Sequence, residues 1–179
     1  MLSTVKADLI KHGHIFKSNT DTEVIIHLYE QYGKECVNHL RGMFSFGIWD
    51  EKKKILFFAR DRFGIKPFYY FYDHEKFIFG SEIKALTQFS GFSDEIDLVA
   101  LDHYFAFGYI TDDRSIYKSI KKLKPGCCLE IDSIKRTIQI TKYWKVKYNP
   151  DYSISEDCWI ERIDSVLSES VKMRLMSDV

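Results

Sequence analysis

The stretch Met43-Phe44-Ser45-Phe46-Gly47-Ile48-Trp49-Asp50, followed by Glu51-Lys52-Lys53-Lys54 and Ile55-Leu56-Phe57-Phe58-Ala59, decides how the chain reads. Phe44, Phe46 and Ile48 alternate with Ser45, Gly47 and Trp49, a period of two that fits a strand between packed layers. The polar run Asp50 to Lys54 turns the chain, and Ile55 to Ala59 returns as the second strand of a hairpin. A loop punctuated by Gly64 and Pro67 runs from Arg60 to Pro67. Beyond it, the aromatic strand Phe68 to Tyr72 turns at Asp73 to Lys76 and comes back as Phe77 to Gly80. The expectation is a four-strand antiparallel meander with helices before it, and therefore an α+β sandwich.

Upstream, Val5, Leu9 and Ile10 share one face of a helix that stops at Gly13. Thr20, followed three residues later by Glu23, has the spacing of a capping box, in which each side chain satisfies a free backbone donor of the other residue. The helix it opens buries Val24, Leu28 and Tyr32, flanked by Ile25 and Tyr29, and stops at Gly33. A shorter helix runs from Cys36 to Leu40. Downstream, helices are expected over Glu82–Phe89 and Asp97–Phe107, the second burying Leu98, Leu101, Tyr104 and Phe105. Ser115 to Pro125 reads as irregular, and strands follow at Cys128–Ile131 and Thr137–Tyr143. Tyr148-Asn149-Pro150-Asp151 reads as a linker. Ser153 with Glu156 then caps a last helix whose stripe is Ile160, Ile163, Leu167, Val171 and Leu175.

Lysine plus arginine equal aspartate plus glutamate, 26 against 26, so no net field draws nucleic acid or an anionic membrane. No run reaches the ~18 apolar residues of a membrane span, and Met1 to His14 contain no apolar signal-peptide core. The cytoplasm is the expected compartment. The four cysteines form no C-x-x-C pair and read as reduced thiols, about two of them buried. Lys121, Lys122 and Lys124 read as a solvated loop.

Among chemistry-bearing residues, Arg60, Asp61 and Arg62 read as a buried ion-pair network fixing a loop, with an anion clamp as the alternative. His12 and His14 sit two apart at a helix end with no cysteine or acidic cluster to complete a site, so no metal is expected. His27, His39 and His103 read as ordinary helix residues, and Cys127 and Cys128 as poor nucleophiles. The aromatic run Phe68 to Tyr72 reads as core. Read locally, Asp21 only complements the helix macrodipole.

Three strings together resemble the class II glutamine amidotransferase domain of asparagine synthetases. They are Ser18-Asn19-Thr20-Asp21-Thr22-Glu23-Val24-Ile25, then Leu40-Arg41-Gly42-Met43-Phe44-Ser45-Phe46-Gly47-Ile48-Trp49-Asp50, then Ala59-Arg60-Asp61-Arg62-Phe63-Gly64-Ile65-Lys66-Pro67-Phe68-Tyr69-Tyr70. Gly80-Ser81-Glu82-Ile83-Lys84-Ala85-Leu86 continues them. Leu123-Lys124-Pro125-Gly126 and Arg174-Leu175-Met176-Ser177-Asp178-Val179 resemble the bridge into that family's synthetase domain.

The resemblance implies an αββα sandwich of the N-terminal-nucleophile type, incomplete, with antiparallel sheets. A linker and the first helix of an ATP pyrophosphatase-type synthetase domain follow. The implied division is 1–149 for the amidotransferase part and 150–179 for the start of the synthetase domain. It further implies that Asp21 binds the α-amino group of substrate glutamine, whose ammonia passes to an aspartyl adenylate made with ATP and Mg²⁺. The family's nucleophile is a cysteine directly after the initiator methionine, whereas Leu2 stands at that position here. The loops that grip glutamine and the Ser-Gly-Gly-x-Asp-Ser nucleotide loop do not occur in the sequence. The chain is thus expected to be a piece with no catalytic residue, no metal ligand and no bound cofactor of its own. Its expected partners are glutamine, aspartate and ATP in the parent enzyme, and a homodimer is allowed. The alternatives are a relative with another acceptor, in polysaccharide or antibiotic synthesis, and a non-catalytic binding module with this fold.

Overall fold

Strand β1 (Ser45–Asp50) runs antiparallel to β2 (Ile55–Arg60), pairing Phe46 with Ala59 and Ile48 with Phe57. The structure is a computed structural model that describes residues 2–73 and 75–175, the side chains of 2–4 excepted. The expectations placed on Met1, on the Leu2 side chain, on His74 and on Met176-Ser177-Asp178-Val179 lie outside the described residues.

An aspartate opens each hairpin. Asp50 Oδ1 accepts from the amides of Lys52 and Lys53, and Lys54 closes the turn at φ 55°. Between β3 (Tyr69–Tyr72) and β4 (Phe77–Gly80), Asp73 Oδ1 accepts from Glu75 and Lys76. Between β6 (Cys127–Asp132) and β7 (Thr137–Lys142), Asp132 Oδ1 accepts from Ile134 and Lys135, with Arg136 at φ 52°. A short carboxylate that folds the following amides around itself is the reason aspartate favours such turns.

The expected single meander is in fact split between two antiparallel sheets. One has the order β1-β2-β6-β7; the other is β4-β3-β5, with β5 at Lys121–Lys122. The split arises in the Arg60–Pro67 loop, which carries the chain from one layer to the next instead of back alongside β2. Residues 121–122, expected in irregular chain, pair with Tyr69 and Tyr70. Lys122 is not solvated: it is half-buried, and its Nζ donates to Ile110 O. Lys124 pairs with Asp112.

Side chains on a strand alternate between faces, and β2 is buried on both. Phe57 and Ala59 face α1 (Leu2–Lys11), α2 (Asp21–Tyr32) and a 3₁₀ turn at Gly33–His39, packing with Leu9, Val24, Leu28, Cys36 and Val37. Phe58 faces the second sheet with Phe68, Tyr70, Leu123 and Leu129. Each fully buried phenylalanine contributes roughly 1.5–3 kcal/mol of transfer free energy. On the far side of the second sheet, α3 (Ile83–Leu86) buries Leu86, and the Phe71 ring lies 4.7 Å from Phe89. The layers therefore run helix, sheet, sheet, helix. This bears out the expected α+β sandwich with antiparallel sheets. The fourth layer is thinner than expected, because the helix foreseen over Glu82–Phe89 stops at Leu86.

The stripe of α4, expected to be buried, faces solvent instead. On α4 (Leu98–Phe107), capped by Asp97, Leu98 is 71% and Phe105 78% exposed, and only Ala100 is buried. On α5 (Glu156–Arg174), Ile160, Ile163, Leu167 and Val171 are all exposed. The cap of α5 is Ser155, which accepts from Cys158 N; Ser153 instead bonds to Asp151. Ile10 is likewise exposed, leaving Val5 and Leu9 as the packed face of α1.

Candidate functional site

The first turn of α2 places Asp21. Thr20 is the N-cap and its Oγ1 accepts from Glu23 N at 3.4 Å, which is one half of the expected capping box. The other half is missing. The Glu23 carboxylate reaches past Thr20 to accept from Lys17 N (2.7 Å), Ser18 N (2.6 Å) and Ser18 Oγ (2.5 Å). These donors hold the Glu23 carboxyl down to about pKa 2, the Lys17 amide first among them. Lys6 Nζ adds bonds to Ser18 O and Asn19 Oδ1. The segment before α2 is thus tied down by Glu23 and Lys6, and the exposed Asp21 carboxylate takes no hydrogen bond or ion pair among the described residues.

Asp21 lines a cleft of about 320 Å³ with Ile25, Arg41, Phe44, Ser45, Lys66 and Ser81 among its walls. The lining thus includes one carboxylate, two basic residues and two serines beside the apolar Ile25, Leu40, Met43 and Phe44. Arg41, Lys66 and Ser81 lie inside the strings quoted for the resemblance, but only the fold shows that they share a cleft with Asp21. Arg41 also reaches Glu169 on α5 at 3.3 Å, an exposed pair of small energetic weight.

The Arg60–Pro67 loop that presents Lys66 is held in a way the sequence does not reveal. Asp61 is 1% exposed, and no ion pair links it to its arginine neighbours among the described residues. Its Oδ1 accepts from Phe63 N and Ile65 N, and its Oδ2 from Lys66 N. Arg60 donates to the carbonyls of Lys66, Leu123 and Gly64, and Arg62 to Leu40 O. In place of the expected ion-pair network, these charged side chains satisfy backbone groups. Gly64 sits at φ +66° with Pro125 and Arg60 so close that a Cβ would meet Pro125 Cγ at 2.7 Å.

The cysteines are free thiols. Burial pushes Cys36 and Cys128 up to about 12 and raises Cys127 too, which disfavours the thiolate at all three. Three are buried where about two were expected. His39 stacks on Tyr32 and His103 bonds Thr111. His14 and His27, 13 residues apart, meet beside Glu30, a grouping that spacing along the chain does not suggest. No helix among the described residues is long and apolar enough to cross a membrane.

The α+β sandwich of two antiparallel sheets thus carries an open cleft with the Asp21 carboxylate in its wall. The sequence profile of the glutamine amidotransferase domain matches residues 2–144, and the chain belongs to that family. It is 36% identical, over 98% of its length, to glutamine-hydrolyzing asparagine synthetase 3 of Bacillus subtilis, covering 28% of that protein. It is 40% identical, over 91% of its length, to a putative glutamine-hydrolyzing asparagine synthetase 2 of Methanocaldococcus jannaschii, covering 32% of it. The chain thus spans a third or less of these curated relatives. Among solved structures, the glutamine phosphoribosylpyrophosphate amidotransferase of B. subtilis superposes with a TM-score of 0.53. That match has 19% identity over 79% of this chain and 26% of the other. It supports the amidotransferase fold.

Proposed function

We propose that the protein carrying this chain is a glutamine-hydrolysing asparagine synthetase, and that the Asp21 cleft receives the amino-acid end of glutamine. The observation that carries the reading is the unpaired carboxylate of Asp21 in a cleft that also holds Arg41 and Lys66. A zwitterionic α-amino acid presents an ammonium and a carboxylate, and the cleft offers a counterion for each. Capping is left to Thr20 and loop closure to Glu23, so Asp21 is available to substrate.

Residues 150–179 would then begin the synthetase domain, where aspartate is activated. Two observations support this: the family match ends at residue 144, and α5 presents Ile160, Ile163, Leu167 and Val171 to solvent. The described residues do not fit ATP or Mg²⁺, since the cleft has one carboxylate and no glycine-rich phosphate loop. No step of the ATP-dependent half-reaction is assigned to them.

The test is Asp21→Asn in the protein as encoded. Asparagine keeps the size and leaves the Thr20 cap in place. Loss of one charge-assisted contact costs about 1.5–3 kcal/mol, or roughly tenfold or more in glutamine kcat/KM. Synthesis driven by free ammonia should persist. Unchanged glutamine turnover, or a parallel fall of both routes with the melting temperature, would leave Asp21 a structural residue.

A further inference from the structure

Behind the start of α2, on the side of the helix that carries His27, three ligand-type atoms converge. His14 Nδ1 lies 3.2 Å from His27 Nδ1, His27 Nδ1 lies 2.7 Å from Glu30 Oε2, and His14 Nδ1 lies 3.6 Å from the same oxygen. His27 and Glu30 stand one turn apart on α2, while His14 arrives from the extended segment after α1. Atoms at these separations all lie about 2 Å from a common point, which matches Zn–N and Zn–O bonds of about 2.0–2.2 Å.

Proton counting points the same way. The other nitrogen of His14, Nε2, faces Gln31 Oε1 at 3.0 Å, and an amide oxygen only accepts. In the tautomer that donates from Nε2 to this oxygen, Nδ1 presents a lone pair. Glu30 presents another. Only His27 Nδ1 can supply a proton to the convergence, so two acceptors compete for one hydrogen. A cation at the same point would satisfy all three atoms at once.

The far side of His27 gives an independent sign. His27 Nε2 is buried without a hydrogen-bond partner, and its nearest carboxylate is Glu23 Oε1 at 3.7 Å. A ring that ligates through Nδ1 carries its hydrogen on Nε2 and turns it toward a carboxylate. This outer contact accompanies metal-bound imidazoles generally. Gln31 stands behind His14 within hydrogen-bond distance, and Glu23 is the carboxylate toward which His27 Nε2 would turn on ligation.

We propose that His14, His27 and Glu30 form a site for a divalent transition-metal ion, with zinc the best match to two imidazoles and one carboxylate. The side chain of Glu30 is 55% exposed, so the ion has a route in from solvent and a fourth position open to water. Bound metal ties the segment after α1 to the middle of α2. Glu23, which supports His27, also holds Lys17 and Ser18, so the ion would stiffen the turn on which Asp21 stands. The site is separate from the Asp21 cleft and does not depend on the glutamine reading.

The experiment is zinc titration by calorimetry of purified, chelator-treated protein with Cys158→Ser removing the most accessible thiol. Elemental analysis gives the stoichiometry. One zinc per chain is expected at this site. Glu30→Gln should weaken binding at least tenfold, His27→Ala should weaken it further, and His12→Ala, a histidine outside the cluster, should change nothing. Cobalt in place of zinc should give ligand-field absorption that Glu30→Gln alters. Because Glu30 is exposed, that variant folds whatever happens to His27→Ala, and circular dichroism checks it. No uptake by folded protein, or uptake indifferent to Glu30→Gln, would overturn the proposal.

Discussion

The Asp61 carboxylate lies 3.0 Å from the amide of Ile65, and its second oxygen lies 3.0 Å from the amide of Lys66. A buried side chain in β-sheet surroundings thereby organises the crossover from one sheet to the other, and with it one wall of the cleft. Asp61→Asn keeps the shape but turns an NH₂ group toward a backbone N–H. A buried donor left facing a donor costs about 1–3 kcal/mol. The expected result is a lower urea midpoint at unchanged m-value. A midpoint equal to wild type would mean the loop is held by Arg60 alone.

Gly47 lies opposite Phe58 across the β1–β2 ladder, and a Cβ there would meet Phe58 Cε1 at 2.5 Å. Phe58 is fully buried against Phe68, Phe77 and Phe79 and has nowhere to move. Gly47→Ala should therefore destabilise by about 1–3 kcal/mol through overpacking, although alanine is ordinarily the better strand residue. Thermal melts of the pair decide it; a stabilised variant would refute the contact.

Strand positions were legible because the period of two in Phe44–Ile48 and the aspartate turns are local signals. The division into two sheets is implied by the family resemblance but not by the local pattern, which reads as one meander. It depends on Asp61 and Arg60 satisfying backbone groups up to 63 residues away, and nothing in the charge pattern Arg-Asp-Arg distinguishes that from ion pairing. The stripe of α4 reads as an apolar face but is not a buried one, because periodicity reports a face without reporting what covers it. Asp21 was visible as a carboxylate at a helix start. Its companions Arg41, Lys66 and Ser81 come from separate segments that only the folded chain brings together. Likewise, only the fold brings His14 to His27 and Glu30, which already neighbour each other on α2.

The cysteines differ in access. Cys158 is half-buried on α5, whereas Cys36, Cys127 and Cys128 are buried with raised thiol pKa values. A brief exposure to iodoacetamide near neutral pH should give one adduct, at Cys158, and four only after denaturant. Rapid native labelling at Cys36 or Cys128, located by peptide mass spectrometry, would show that the helix–sheet core opens.

Glu23 makes the segment before Asp21 sensitive to acid. Its carboxyl is held at about 2, against an ordinary 4.5, by the amides of Lys17 and Ser18, the Ser18 hydroxyl and nearby His27. A depressed carboxyl pKa stabilises the fold above the unfolded-state value, and the contribution disappears as pH falls through the folded-state value. The window is therefore about 4.5 down to about 2. Glu23→Gln cannot ionise and turns one NH₂ toward donors, so near neutral pH it should melt below wild type. As pH is lowered through that window the two melting temperatures should converge, because wild type loses what the variant never had. The same acid step should loosen Ser18 and Thr20, and amide exchange at those residues should rise in wild type as the gap narrows. A gap that stays constant from neutral pH to about 2 would mean that the Glu23 contacts are steric, with no charge assistance, and that Asp21 owes its position to Thr20 and Lys6 instead.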